Sequence, residues 1–386
     1  MLRFLKAYWQ QPGEERRGEA LRRRWESYCR VDVVIPFLLA VTVVFALFAA
    51  MSESLALSHL EYTTVTGYFL QDDPTTYPAD FDYSASAFGL IIQNYDTDKD
   101  FDPNYEKTQW ERFAYKLQSL NDHADKHTEF KLFYMGRHGE GYHNVAEELY
   151  GTEAWDCYWS KLDGNGSITW SDARLTETGI TQALHARATW AAQIQDHIPL
   201  PQSYYTSPLD RCLQTAKLTF NNLPLPPDRP FKPVVKELLR ETLGVHTCDR
   251  RSPTTHITKT YPTYTLEPNF APTDPLWDPN LRESNSARTA RLRQLLNDIV
   301  EHNSGPSSTY ISLTAHSGAI TSLLEVVGHR AFRLETGGVI PVLVRIVRRE
   351  GSRGGEVVEP SGKVPECREG LVAGEGEEGG RTELRN

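Results

Sequence analysis

The stretch Lys131-Leu132-Phe133-Tyr134-Met135-Gly136-Arg137-His138-Gly139-Glu140-Gly141-Tyr142-His143-Asn144 decides the fold. Residues 131–135 read as a buried strand that runs straight into a glycine-rich turn, which places Arg137 and His138 at the strand's carboxyl end. In open α/β sheets ligands bind at that edge, and glycines at 136, 139 and 141 let the backbone turn tightly and approach a ligand closely. The same grammar recurs twice. Residues 203–206 read as a strand leading through Ser207-Pro208-Leu209-Asp210-Arg211-Cys212-Leu213-Gln214-Thr215 into a helix over 209–220. Residues 309–314 read as a strand leading through Ala315-His316-Ser317-Gly318 into a helix over 319–327. Arg211 falls in the first turn of its helix, where the dipole favours anions, so an anionic ligand is its natural partner.

Around these strand ends the chain keeps alternating strands with amphipathic helices. Helices are expected over 176–194 and 285–302, a short strand over 234–240 and a last apolar strand over 339–347. That alternation predicts a three-layer αβα domain with a mostly parallel central sheet, spanning 52–348. Residues 242–283 are rich in Pro, Thr and Asp and read as a long excursion beside the sheet. Residues 349–386 hold nine Gly and nine Glu with little apolar content, which predicts a disordered tail.

The full 386 residues suffice for one large α/β domain or two smaller ones, and 39% hydrophobic content excludes global disorder. With 41 basic against 51 acidic residues the net charge is −10, so no general attraction to nucleic acid is expected. An anion must then meet a local basic pocket. The uncharged run over 33–51 is long enough to span a bilayer as a helix. The head, 1–32, carries eight basic residues against five acidic ones. The positive-inside rule predicts a single-pass membrane protein with a cytosolic head and everything after the span lumenal or extracellular. Asn165-Gly166-Ser167 then becomes a glycosylation candidate. Translation from Met51 would instead give a cytoplasmic product.

The five cysteines form no CxxC pair, so no zinc cluster is readable, and buried or free thiols are expected, with a Cys157–Cys248 bridge as the alternative. His123 and His127 would share a face if their segment were helical, but no carboxylate partner accompanies them, and no metal is assigned. Asp163-Gly164-Asn165-Gly166 opens like a calcium loop without the rest of the pattern and reads as a turn.

The RHG motif at 137–139, the SPLDRCLQT motif at 207–215, an acidic residue in Leu238-Leu239-Arg240-Glu241, and AHSG at 315–318 occur in an order and spacing that resemble the histidine phosphatase (phosphoglycerate mutase-like) superfamily, within it the fungal phosphomutase-like branch. The resemblance covers roughly residues 60–347. It implies the phosphoglycerate mutase-like fold, a metal-independent and cofactor-free reaction on a small phosphorylated metabolite, and His138 as the nucleophile that forms a phosphohistidine. It also implies that Arg137, Arg211, His316 and Asn144 surround the phosphoryl oxygens, helped by the backbone N–H of Ser317, and that Glu241 is the general acid. Ser317 after His316 departs from the acid phosphatase and phytase branch, which carries Asp there. His143 stands where cofactor-dependent mutases carry Trp. Hydrolysis is therefore expected, with phosphoglycerate-type phosphomutase activity and a non-catalytic phospho-ligand-binding protein as alternatives. His246, Asp249, Arg250 and Arg251 lie where they could reach substrate, and the two arginines are expected to bind a second anionic group.

Overall fold

A computed structural model of the chain describes residues 58–303, 308–355, 357–364 and 366–368. The expected head and membrane span, 1–32 and 33–51, lie outside the described residues. Among the described residues no helix is long and apolar enough to cross a membrane.

The domain is a three-layer α/β fold around a mixed sheet. Its strands are β1 (Ser58–Thr64), β2 (Thr128–Arg137), β3 (Ser203–Thr206), β4 (Val234–Val235), β5 (Thr265–Leu266), β6 (Tyr310–Ala315) and β7 (Val339–Glu350), in the order β1-β7-β2-β6-β3-β4-β5. From β2 to β5 across the sheet neighbours run parallel, whereas β7 is antiparallel to β2. The helices are α1 (Asp98–Phe101), α2 (Gln109–Asp122), α3 (Tyr142–Tyr150), α4 (Thr152–Cys157), α5 (Glu177–Gln195), α6 (Asp210–Phe220), α7 (Thr254–Thr260), α8 (Asn285–His302) and α9 (Ser317–Val326).

The period-two pattern of β2 builds both cores. Phe133 and Met135 join Ile311, Leu313, Leu292, Leu295 and Ile299 on the α8–α9 side. Leu132 and Tyr134 face the opposite way, toward Trp110, Phe113 and Leu117 of α2 and Trp190 of α5. A strand covered on both faces reads as a continuous apolar run, as this one does. Helix α2, absent from the expected elements, starts with a capping box: Thr108 Oγ1 accepts from the Glu111 N–H, and Glu111 Oε2 accepts from the Thr108 N–H.

Three expectations are corrected. The strand expected over 234–240 stops at Val235, because the Glu237 N–H turns to Glu267 and Arg240 folds into ion pairs with Glu237 and Asp274. His123 and His127 share no helix face: α2 ends at Asp122, His123 caps it, and the His127 N–H donates to Asp125 in the turn before β2. The disulfide joins Cys157 to Cys367, while Cys212 and Cys248 are buried free thiols. Cys248 packs with Trp155 and Trp170, and its carbonyl accepts from Arg211 Nη1. The partner is supplied by the tail, which is described as far as residue 368; residues 369–386 of the expected disordered tail lie outside the described residues. Gly362 forms a two-bond antiparallel bridge with Arg282, and Glu359 bonds Ser284 and Ser286.

Candidate active site

Parallel pairing in register brings the three motif loops together. Arg137 stands opposite Ala315, and Thr206 opposite Thr314. The residues that follow each strand therefore emerge side by side at one sheet edge. Two backbone bonds tie these loops down, from His138 N–H to the Ala315 carbonyl (3.0 Å) and from Ser207 N–H to the Thr314 carbonyl (3.0 Å).

His138 is 2% exposed, with its ring centroid 5.2 Å from that of His316 and 5.3 Å from that of His143. Its Nδ1 lies 2.7 Å from the Gly139 carbonyl oxygen. A carbonyl only accepts, so Nδ1 carries the proton and Nε2 keeps a bare lone pair. Burial holds the imidazole well below its ordinary range, and the Arg211 and Arg137 charges add to that. His138 is thus held as the neutral imidazole.

The loop geometry depends on Gly139. A Cβ there would collide with the Gly179 backbone at the start of α5, and a Cβ at Gly179 would collide with the Glu140 backbone. Thr215 ties this loop to α6: its hydroxyl accepts from the Gly139 N–H (3.1 Å) and donates to the Arg211 carbonyl (2.7 Å). Thr215 was quoted within the second motif without a role, and only the fold reveals the bridge.

Arg211 is 1% exposed, with Nη1 on the Cys248 carbonyl (2.6 Å) and Nη2 on Asp249 Oδ1 (2.8 Å). Burial opposes its charge, but Asp249, together with smaller contributions from Cys248 and Cys212, raises its pKa. Asp249 is gripped from its other oxygen by Arg282 Nη1 at 2.9 Å. Burial pushes the Asp249 carboxyl up, yet Arg282 and Arg211 together hold it at about 2. Arg137 bonds the Leu334 carbonyl through Nη1 (2.7 Å), and burial lowers its pKa. The Nε atoms of Arg137 and Arg211 and the Nδ1 of His143 are buried without a partner. Buried guanidinium donors left open beside a bare imidazole nitrogen are what a tetrahedral oxyanion would satisfy.

Asn144 Oδ1 accepts from the Gly141 N–H at 2.9 Å, which fixes the amide at the start of α3. His316 is fully buried, with Nε2 2.7 Å from Ser207 Oγ, and burial together with Arg211 keeps it well below the usual histidine range. Ser317 opens α9, so its N–H faces out of the helix end. Glu241 Oε2 accepts from the Gly318 N–H (2.9 Å) and Oε1 from the Thr242 N–H (2.9 Å), which fastens the carboxyl to the turn that follows His316. His138, His143, Arg137, Arg211, His316 and Glu241 are therefore brought together.

Arg250 and Arg251 are not. Arg250 bonds Asp163 (2.7 Å) and Ser171 (3.0 Å) and lies over Trp277. Arg251 is 3% exposed and spends its donors on Glu237 and on the Ala271 and Thr273 carbonyls. Both arginines hold the 242–283 excursion in place, so the expected second anion site on them is withdrawn. His246, Cys248 and Asp249 place ligand-type atoms within 4.8 Å of one another. Two guanidinium groups already neutralise Asp249, and burial drives the Cys248 thiol well up, so this set is unsuited to a cation.

A neutral imidazole with arginine side chains acting on it, at the carboxyl edge of an α/β sheet, is an arrangement suited to a phosphoryl group. The model of the histidine phosphatase superfamily (branch 1) matches residues 157–336. A protein of Arthroderma benhamiae named probable phosphoglycerate mutase is 60% identical over 77% of this chain and 88% of its own length. Phosphomutase-like protein 3 of Candida albicans is 34% identical over 78% of this chain and 85% of its own. A probable phosphoglycerate mutase of Saccharomyces cerevisiae is 32% identical over 59% of this chain and 83% of its own. The chain belongs to the histidine phosphatase superfamily, among its phosphoglycerate mutase-like proteins.

Proposed function

We propose that the protein hydrolyses a phosphomonoester of a small metabolite, without metal, through a phosphohistidine on His138. The observation that carries this reading is the Nδ1 bond to Gly139, which leaves His138 Nε2 unprotonated, together with the unpartnered Nε donors of Arg137 and Arg211, whose charges act on His138. In the first step Nε2 bonds to phosphorus, the ester P–O bond breaks, and Glu241 gives its proton to the departing oxygen. In the second, water attacks phosphorus, Glu241 takes a proton from it, and the P–N bond breaks. Arg137, Arg211, the Asn144 amide and the N–H of Ser317 stabilise the equatorial oxygens, and His316 supports the nucleophile's ring from its edge.

The test is phosphate release from a panel of phosphorylated metabolites by the protein and by His138→Ala. The variant is expected to release none and to lose a labelled phosphoenzyme that survives base but not acid. Unchanged turnover in His138→Ala would refute the assignment. The names of the fungal relatives favour a second reading, phosphoglycerate-type mutase activity. A phosphorylated sugar acid separates the two: a mutase moves its phosphate, a phosphatase frees it.

For the location, we propose a single-pass anchor at 33–51 with the catalytic domain on the lumenal or extracellular side. The uncharged run, the basic head and a disulfide in the domain support it. Release of the full-length protein from membranes by alkaline carbonate would end that reading.

A further inference from the structure

The groups that set Arg211 do not end at the site. Asp249 takes Arg211 Nη2 on one carboxylate oxygen and Arg282 Nη1 on the other. The same Arg282 Nη1 lies 2.9 Å from the Thr242 carbonyl oxygen and 2.6 Å from that of Gly244. It therefore locks the strand-end loop carrying Glu241 to the loop carrying Asp249. Arg282 is held in turn by the tail: its N–H donates to the Gly362 carbonyl (2.8 Å), and the Gly362 N–H donates back (2.9 Å). Five residues further on, Cys367 is bonded to Cys157, the last residue of α4, and Arg368 pairs with Glu153 of the same helix. Ser284 and Ser286 fix the other side of the strap at Glu359.

We propose that Arg282 is a positioning residue for phosphate capture, acting through Asp249 on Arg211, and that the strap formed by the described tail residues 357–364, with the disulfide at Cys367, sets Arg282 in place. The inference rests on the phosphate-binding reading of the site. Each Nη of Arg211 is anchored by one hydrogen bond, to the Cys248 carbonyl and to Asp249, and its Nε is buried without a partner. The direction of that Nε is decided by where Asp249 stands, and Asp249 is a buried carboxylate whose place is decided by the two guanidinium groups that neutralise it. Loosening the strap frees the Arg282 backbone, and with it the outer of those two groups. The link requires no contact between the tail and substrate.

The experiment measures inorganic phosphate binding by calorimetry, and kcat and KM for an aryl phosphate, on the full chain and three variants: Arg282→Gln, Arg282→Lys and the double change Cys157→Ser with Cys367→Ser. Arg282→Gln is expected to weaken phosphate binding about tenfold and to raise KM more than it lowers kcat, since one charge-assisted bond is lost at one remove from the ligand. Arg282→Lys keeps the charge and recovers part of the affinity. The double cysteine variant weakens phosphate binding in the same direction, by about two- to fivefold, and a dithiol reductant adds nothing to it. The same reductant, by opening the disulfide to two thiols as it becomes oxidised itself, brings the wild-type protein to the variant's affinity.

Arg282→Gln or Arg282→Lys that is folded by circular dichroism and binds phosphate as tightly as wild type would overturn the relay. Should Arg282→Gln fail to fold, Arg282→Lys and the cysteine variant carry the decision. A cysteine variant with wild-type affinity would overturn the part assigned to the strap. Wild-type protein that binds no phosphate would instead overturn the reading of the site, and the relay with it.

Discussion

At the residue scale the candidate site holds three neutral histidines. His138 and His316 are buried and His143 half-buried, and each is held well below the ordinary value, by burial first and then by Arg211. In the unfolded chain such side chains take up a proton near pH 6.5, whereas in the fold they remain neutral there. The unfolded state then binds more protons, so stability falls as pH drops below about 6.5, by up to about 1.4 kcal/mol per unit for each histidine. Urea midpoints at pH 7.5, 6.5 and 5.5 should show that slope, and His138→Gln should flatten it. In the proposed mechanism the same depression keeps His138 able to attack in mild acid. The acidic limb of kcat/KM should show no break near 6.5, and a break there would mean that His138 titrates normally. Arg211→Lys tests the fork. A single ammonium cannot hold the Cys248 carbonyl, Asp249 and an oxyanion in one plane, so kcat/KM should fall by about two to three orders of magnitude while the fold persists.

At the element scale the strand ends were legible in the sequence because each carried its own local signature, an apolar run ending in a polar loop. Residues 203–206 and 285–302 were read with the observed bounds, and β2, β6, α6 and α9 within a few residues. Helices α2, α3 and α4 were not read, since α3 and α4 are short and α2 interrupts its apolar face with Arg112 and Lys116. Arg250 and Arg251 were misread for a related reason. Two adjacent arginines near a site look alike in sequence, and only the return of 270–274 shows that Arg251 is committed to Glu237 and to carbonyls there. Gly139 belongs to this scale because it lets the β2 loop cross the first turn of α5. Gly139→Ala sets a methyl group against the Gly179 carbonyl, which is backbone and cannot swing aside. A cost of about 1–3 kcal/mol is expected, with kcat falling further than stability explains because His138 is the preceding residue. Thermal melts and kcat on the same preparation check this, and a variant with wild-type kcat would show that the crossing is loose.

At the scale of the whole molecule the feature hidden from sequence is the closure of the tail. A Gly- and Glu-rich composition cannot order a segment by burial, which is the reason to expect disorder over 349–386; the described stretch that ends at residue 368 carries a covalent bond that composition does not show. Cysteine pairing over a separation of 210 residues is not inferable without the fold. That bond restricts the unfolded chain over more than half its length, and its removal should cost about 2–5 kcal/mol of stability. Cys157→Ser should therefore shift the urea midpoint down, and reductant should bring the parent protein to the same value. The bond also carries an argument about compartment. Pairing of Cys157 with Cys367 needs an oxidising environment, which the lumenal side of a membrane offers and the cytosol does not. Alkylation under denaturing conditions without reductant, on protein taken directly from cells, should leave Cys157 and Cys367 unlabelled while Cys212 and Cys248 react. Labelling of all four would place the domain in a reducing compartment, as translation from Met51 would, and would remove the support that the disulfide gives to the anchored topology.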